Sequence, residues 1–242
     1  MNNITEQSET QISSIEKTQY TIVEFETKCK SLLGIPQFEK SEYLKFGTAL
    51  PNTLLDLCYT KAKQDEQLNR SVFAKTDINA NVVLGCIPIQ YIKENDTQYK
   101  SVKFDETVNI PDISNNLQQV FDNYSFNING TISCPNPYIN NSTYIGHIIN
   151  DCLNLKEFLP LVKNITITKE NYPSIVEYYK KNSIDLSNVM FTQVPNLPLV
   201  VVVSKKPILK DQELFVSYGH IYWLKKTRPD LDSEYIKDLE SY

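Results

Sequence analysis

From Arg70 onward the sequence is divided into many short stretches that are typical of β-strands. SVFAKTDINANVVLGCIPIQYI (71–92) is rich in β-branched and aromatic residues and is broken by Asn-Ala-Asn, which predicts strand, turn and strand. Asn129-Gly130 separates two more such stretches and is a strong hairpin signal. Because no alternating βαβ rhythm appears, we expect an α+β fold of short, mostly antiparallel strands. The further predicted strands cover 100–105, 124–128, 130–134, 189–194, 199–204 and 213–217.

Helical patterns flank and interrupt these strands. TIVEFETKCKSLLG (21–34) has apolar residues at helical spacing and ends on a glycine suited to a C-cap. LPNTLLDLCYTKAKQDEQLN (50–69) repeats the pattern, and 151–187 looks helical again. We therefore expect four regions: a loose tail and helical lobe over 1–68, a main domain over 69–223, a helical insert within it at about 152–187, and a helical extension over 224–242.

Composition excludes some classes of function. The chain has 242 residues, 41% hydrophobic and 22% charged, which suits a folded protein with a full core. Its formal net charge of -5 disfavours direct binding of nucleic acid. The five cysteines are scattered without a CxxC pair, so we expect reduced thiols and no metal site. No apolar run reaches the roughly 18 residues that span a bilayer, and the N-terminus lacks a signal core. We expect a soluble intracellular protein of the cytoplasm or nucleus, without membrane contact.

Three blocks of sequence carry the most specific pattern. They are RSVFAKTDINANVVLG (70–85), YIGHIIND (144–151) and NVMFTQVPNLPLVVVVSKKPILKDQELFVSYGHIYW (188–223). Their order, separation and internal pattern resemble the SET-domain protein lysine methyltransferases. The resemblance implies a SET-type fold with a threaded C-terminal segment. It also implies S-adenosyl-L-methionine as cofactor and, as partner, a protein substrate that presents a lysine, on a histone tail or elsewhere.

The resemblance also assigns roles to residues. Tyr218 matches the catalytic tyrosine, and Tyr222 is a second catalytic candidate. Asn150 matches the asparagine that hydrogen-bonds the cofactor's amino-acid end. Tyr222 or Trp223 would stack on the adenine or line the lysine channel, and the sequence leaves this choice open. The remaining residues expected to contact the cofactor are Asn69, Arg70, Ser71, Val72, Phe73, His147 and Asp151.

Several positions depart from the family pattern. Asn69-Arg70-Ser71 stands where the family has Gly-x-Gly, and Asp151 stands where it has histidine. The cysteine cluster that follows many SET domains is absent, so residues 220–239 would supply the lid. Two hypotheses therefore remain open at the level of sequence. The chain is an S-adenosylmethionine-dependent protein lysine N-methyltransferase, or it is a catalytically degenerate SET-like module that binds a protein partner.

The aromatic residues at 218–223 suit the chemistry of methyl transfer to lysine. A free lysine has a pKa of about 10.4 and is mostly protonated at neutral pH. An apolar, aromatic channel lowers that pKa and frees the lone pair, and tyrosine hydroxyls can orient the amine. We therefore predict that the strand over 213–218 lies beside 147–151 and brings Tyr218 close to Asn150. We also predict that the insert's helices pack beside the peptide groove.

Overall fold

The computed structural model describes residues 19–33, 50, 54–62, 70–93, 99–101, 113–128, 131–139, 142–197 and 199–240. Asn69, the loose tail and the Asn129-Gly130 turn lie outside these residues. The described helices are α1 (Ile22–Leu33), α2 (Leu117–Tyr124), α3 (Leu155–Val162), α4 (Tyr172–Tyr179), α5 (His220–Thr227) and α6 (Ser233–Glu240). Short 3-10 helices cover Ser114–Asn116 and Gly146–Ile148, and a π-helix covers Lys180–Ile184.

Eleven strands form four small sheets in the described part of the chain. The strands are β1 (Cys58–Ala62), β2 (Arg70–Ala74), β3 (Val83–Cys86), β4 (Ile89–Lys93), β5 (Tyr99–Ser101), β6 (Phe126–Ile128), β7 (Thr131–Pro135), β8 (Asn150–Asp151), β9 (Val189–Gln193), β10 (Val200–Ser204) and β11 (Phe215–Val216). The sheet orders are β1-β2, β3-β10-β9, β11-β8 and β5-β4-β7-β6. Only the β11–β8 ladder is parallel among these described pairs, which confirms the predicted α+β fold of mostly antiparallel strands.

The fully buried strand β10 is the centre of the fold. Val202 lies opposite Gly85 of β3 on one side and opposite Phe191 of β9 on the other. All five residues of β10 are buried. Such a run of β-branched residues is what a strand with apolar packing on both faces requires. β10 therefore fixes the scaffold on which the neighbouring loops are held.

The prediction of a helix over 50–69 is wrong for its described part. Residues Cys58–Ala62 form β1 and pair antiparallel with β2. Tyr59 stacks on Phe73 with ring centroids 5.6 Å apart, and the Lys61 ammonium lies 4.8 Å from the Phe73 ring. The spacing of apolar residues in this segment predicts a helix, but it carries no information about the partner strand β2. Pairing with β2 stabilises the strand instead.

The predicted strand over 124–128 is too long. Tyr124 ends helix α2, and the strand covers only Phe126–Ile128. The buried residues Ile113, Val120 and Phe121 pack against Cys134 of β7. The apolar spacing of LQQVFDNY is helical, so the sequence carried a signal for this helix.

The predicted helical character of 151–187 is confirmed by α3, α4 and the π-helix. Phe158 and Tyr179 of these helices share one buried cluster with Leu224 and Leu239 of the C-terminal helices. The insert thus packs on the C-terminal helices. Helix α5 begins at His220, earlier than the predicted start of helical structure at 224.

Two similar turns hold the ends of the central strands together. The Ile78 and Ile208 backbones exchange N–H···O bonds of 2.8 and 2.9 Å. Asn81 and Asp211 follow three residues later with φ of 64° and 63°. Asparagine and aspartate are among the residues that best tolerate the left-handed region. The turns therefore keep their shape without glycine.

Candidate active site

The parallel pair β8–β11 brings two distant parts of the chain together. Phe215 lies opposite Asn150, and Val216 lies opposite Asp151. The Tyr218 hydroxyl donates a hydrogen bond of 2.7 Å to the Ile149 carbonyl. The predicted juxtaposition of 213–218 with 147–151 is therefore confirmed, and Tyr218 and Asn150 line one cavity.

That cavity, which we call the Arg70 cavity, has a volume of about 390 Å³. It brings together five of the residues singled out from the sequence. These are Arg70, His147, Asn150, Tyr218 and Tyr222. The other lining residues are Asn116, Gln119, Val120, Tyr124, Pro137, Tyr138, Ile148 and Lys226.

Arg70 brings a buried positive charge to this cavity. Only 8% of the residue is exposed, and its Nη2 donates to the Pro137 carbonyl at 2.5 Å. Its Nε is buried and meets no hydrogen-bond acceptor among the described residues. Burial lowers the pKa of the guanidinium, yet arginine stays charged in proteins. A buried cation with a free donor favours a ligand that carries an anionic oxygen.

His147 adds a buried acceptor. Its Nε2–H donates to the Ile139 carbonyl at 2.9 Å. Burial, with the nearby Arg70 charge, lowers the pKa of the imidazole to about 3. The ring is therefore neutral, and its Nδ1 must be the acceptor nitrogen. Nδ1 is buried and has no partner in the described part of the chain.

Asn150 is held by the strand that it faces. Its Nδ2 donates to the Arg70 carbonyl at 2.9 Å and to Ser71 Oγ at 3.2 Å. Both amide hydrogens are thus used within the protein. The side-chain oxygen is the group left to accept from a ligand.

A second cavity of about 420 Å³ is also lined by Tyr218, and we call it the Phe191 cavity. It shares Tyr124, His147, Tyr218 and Tyr222 with the Arg70 cavity. These four side chains therefore form the boundary that the two cavities share. The remaining lining residues are Ile87, Ser125, Pro135, Gly146, Ile149, Phe191, Thr192, Gln193, Val200 and Ser217.

The shared tyrosines remain neutral. Burial raises the pKa of Tyr218, Tyr222 and Tyr124 above the usual value of 10. The Tyr218 and Tyr222 rings meet edge to face, with centroids 5.1 Å apart. These hydroxyls can therefore donate and accept hydrogen bonds, but they are not bases at neutral pH. Their π-faces also suit a cationic or partly charged amine.

A comparison with protein-family models identifies residues 69–219 as a SET domain. The chain belongs to the SET-domain family. Among solved structures, it is similar to a candidate histone methyltransferase of Plasmodium falciparum, with 16% identity, a TM-score of 0.32, and coverage of 70% of this chain and 98% of that one. It is also similar to CpSET8 from Cryptosporidium, with 14% identity, a TM-score of 0.34, and coverage of 86% and 84%. The search of curated proteins found no match.

Some residues expected at the SET-domain site lie away from both cavities. Val72 is fully buried in the core, and Phe73 stacks on Tyr59. Ser71 is buried and serves as an acceptor for Asn150. Neither Asp151 nor Trp223 lines the Arg70 cavity or the Phe191 cavity, whereas Tyr222 lines both. The geometry thus favours Tyr222 over Trp223 as the residue that faces a ligand.

Sequence reasoning missed three aromatic residues of this SET domain. Tyr124 lines both cavities from the end of α2, Tyr138 lines the Arg70 cavity, and Phe191 lines the other. The helical pattern before Tyr124 could have located the first. Nothing in the spacing of the other two separates them from packing residues. Among the described residues, no group of three or more His, Cys, Asp or Glu side chains could hold a metal ion, and no helix is long and apolar enough to cross a membrane.

Proposed function

We propose that the chain is an S-adenosyl-L-methionine-dependent protein lysine N-methyltransferase. The observation that carries this proposal is the meeting of two cavities at Tyr218 and Tyr222. A cofactor in the Arg70 cavity and a lysine side chain entering from the Phe191 cavity would face each other at these hydroxyls. Membership of the SET-domain family supports the same assignment.

The described residues fit the amino-acid end of the cofactor. Arg70 Nε is an unpaired buried donor that suits a carboxylate, while the Asn150 oxygen and His147 Nδ1 are acceptors that suit an ammonium. The cofactor supplies a methyl group on a sulfonium, which passes to a neutral amine while sulfur keeps the bonding electron pair. Ser71, Val72 and Phe73 would act by holding the backbone around Arg70.

The tyrosines would prepare the lysine. A desolvated site disfavours the ammonium form and so lowers the lysine pKa. Tyr218 donates its hydrogen to Ile149, so the lone pairs of its oxygen are left to accept from the amine or the methyl hydrogens. Tyr222 stands edge-on to Tyr218 and would orient the same group. Both act through position and polarity, since neither hydroxyl is ionised.

The substrate class is a protein lysine, on a histone or another protein. The cavity lined by Phe191 and Val200 is bounded by the edge strand β9, which offers a peptide a place to lie. The competing hypothesis is a catalytically degenerate module that uses the same cavity only to bind a partner.

Calorimetric titration of S-adenosylmethionine into the purified protein tests the proposal. We expect one molecule to bind per chain. Asn150→Ala should weaken binding about tenfold or more, because one hydrogen bond to a charged group is worth about 1.5–3 kcal/mol. Asn154→Ala, a helix cap outside both cavities, is the control and should leave affinity unchanged. Absence of binding by the parent protein would favour the binding module.

A further inference from the structure

The carboxylate of Asp151 gathers hydrogen bonds from the domain's insert and from its C-terminal end. Oδ2 accepts from the Tyr179 hydroxyl at 2.6 Å, from Trp223 Nε1 at 2.9 Å and from the Tyr218 backbone N–H at 3.0 Å. Oδ1 accepts from Ser183 Oγ at 2.6 Å and from the Leu153 N–H at 2.9 Å. Five donors meet one side chain that, when ionised, can only accept. The five hydrogen bonds thus fix the orientation of the Asp151 side chain.

Tyr179 extends this network to the turn that carries Tyr218. Its hydroxyl accepts from the Gly219 N–H at 2.8 Å and lies 2.7 Å from Ser217 Oγ. The turn over 217–219 is therefore held by the insert on both sides of Tyr218. Gly219 has a φ of 94°, so this turn occupies a backbone region that few other residues adopt.

The π-helix supplies the geometry on the insert's side. Tyr179 ends α4, and Ser183 lies in the π-helix Lys180–Ile184 that follows directly. Both residues are fully buried, and both side chains reach the same carboxylate. A π-turn is uncommon and is frequently found at functional sites. Here it brings two hydroxyls, four positions apart in sequence, to one acceptor.

Trp223 connects the network to the catalytic tyrosine by a second route. Its ring stacks on Tyr218 with centroids 6.0 Å apart and an interplanar angle of 23°. Because its Nε1 donates to Asp151, the indole cannot turn without breaking that bond. Tyr218 is thus fixed at its backbone by Asp151 and at its ring by a tryptophan that Asp151 orients.

We propose that Asp151 is a positioning residue through which the helical insert sets the geometry of Tyr218, an inference that rests on the proposed methyltransferase function. Asp151 and Tyr179 line neither cavity, so they act through Tyr218 rather than on a ligand. The insert then belongs to the catalytic apparatus, and its packing beside the peptide groove stays a prediction.

The test compares Asp151→Asn and Tyr179→Phe with Tyr172→Phe. Tyr172 is the matched control because it is a buried tyrosine of the same helix whose hydroxyl bonds to His220 instead. We expect Asp151→Asn and Tyr179→Phe to slow single-turnover methyl transfer by about 10- to 100-fold, the range for a small misplacement of a catalytic group. The KM for the peptide and the affinity for S-adenosylmethionine should stay within a few-fold, and Tyr172→Phe should match the parent.

Trp223 provides a readout that does not depend on activity. It is the only tryptophan of the chain, so its fluorescence reports on the bond to Asp151 directly. We expect a changed emission maximum in Asp151→Asn and Tyr179→Phe and an unchanged one in Tyr172→Phe. If Asp151→Asn fails to fold, Tyr179→Phe and Ser183→Ala carry the test.

The possible failures are distinguishable. Parental transfer rates in folded Tyr179→Phe and Asp151→Asn would overturn the positioning role, even with the methyltransferase function intact. A parent protein that transfers no methyl group would overturn the proposed function. In that case an unchanged Trp223 emission in both variants would also show that Asp151 does not orient the indole.

Discussion

At the scale of single residues, Arg70 gives the sharpest test of the proposal that the Arg70 cavity binds the cofactor. Its Nε is a buried donor without a described acceptor, so a bound carboxylate would gain a charge-assisted hydrogen bond. Arg70→Met should lower the affinity for S-adenosylmethionine by about 10- to 150-fold, which corresponds to about 1.5–3 kcal/mol. Lys226→Met removes an exposed cation of the same cavity and should have a smaller effect. Equal calorimetric affinities for Arg70→Met and the parent would contradict the assignment.

His147 makes the stability of the fold depend on pH. Its pKa of about 3 in the folded protein is below the ordinary 6.5. In acid, the unfolded chain therefore binds a proton at this imidazole, whereas the folded protein does not. Proton binding by the unfolded chain has no effect above pH 6.5. As the pH falls from 6.5 toward 3, it lowers the free energy of unfolding by about 1.4 kcal/mol per pH unit.

Replacing His147 by glutamine should remove that dependence. Between pH 7 and pH 5, the free energy of unfolding of His147→Gln relative to the parent should rise by about 2 kcal/mol. Urea denaturation of both proteins at both pH values measures these free energies of unfolding. Because the two proteins have the same carboxylates, the contribution of the carboxylates cancels in the difference between them. A difference that does not change with pH would mean that His147 accepts a proton in the folded state.

At the scale of elements, Asn188, the residue before β9, connects the segment that contains β11 to the sheet β3-β10-β9. Its Nδ2 donates to the Glu213 carbonyl and its Oδ1 accepts from the Phe215 N–H, both at 2.8 Å. Only 2% of Asn188 is exposed, so its amide makes these two hydrogen bonds while shielded from water. Strand β11 has only two residues. The Asn188 side chain thus provides hydrogen bonds to the backbone at 213 and 215 that a partner strand would otherwise provide.

Asn188→Ala should destabilise the protein by about 2–4 kcal/mol, because two backbone groups lose the hydrogen bonds that a buried side chain gives them. Asn182→Ala is the control, since it removes one hydrogen bond from a half-buried asparagine and should cost about 1 kcal/mol or less. Chemical denaturation of the two variants measures both values. Equal losses would show that the strand is held in place by packing alone.

At the scale of the whole molecule, the sequence predicted the threaded arrangement but not how it is held. The three sequence blocks placed Tyr218 beside Asn150, since a motif fixes which segments must meet. They did not reveal that Cys58–Ala62 is a strand, because its partner β2 lies across an intervening segment. Helical spacing is a local property, and pairing between distant segments overrode it here.

The site divides in the same way. Arg70, His147, Asn150, Tyr218 and Tyr222 were singled out because each sits in a motif, and the structure places all five around one cavity. The network around Asp151 could not be predicted, since its donors come from the insert and the C-terminal helix, whose relative placement depends on packing. Asp151 stands where the family has histidine. This difference indicated that the position is unusual, but it did not indicate the role of the aspartate.

The most direct test of the account is single-turnover transfer of a labelled methyl group from S-adenosylmethionine to lysine-containing proteins. We expect transfer by the parent protein. For Tyr218→Phe we expect the rate to fall by about 100-fold or more, because a positioned hydroxyl is lost from a desolvated site. The phenylalanine ring keeps the packing against Trp223, so cofactor affinity should stay within a few-fold. Transfer by Tyr218→Phe at the parental rate would contradict the account.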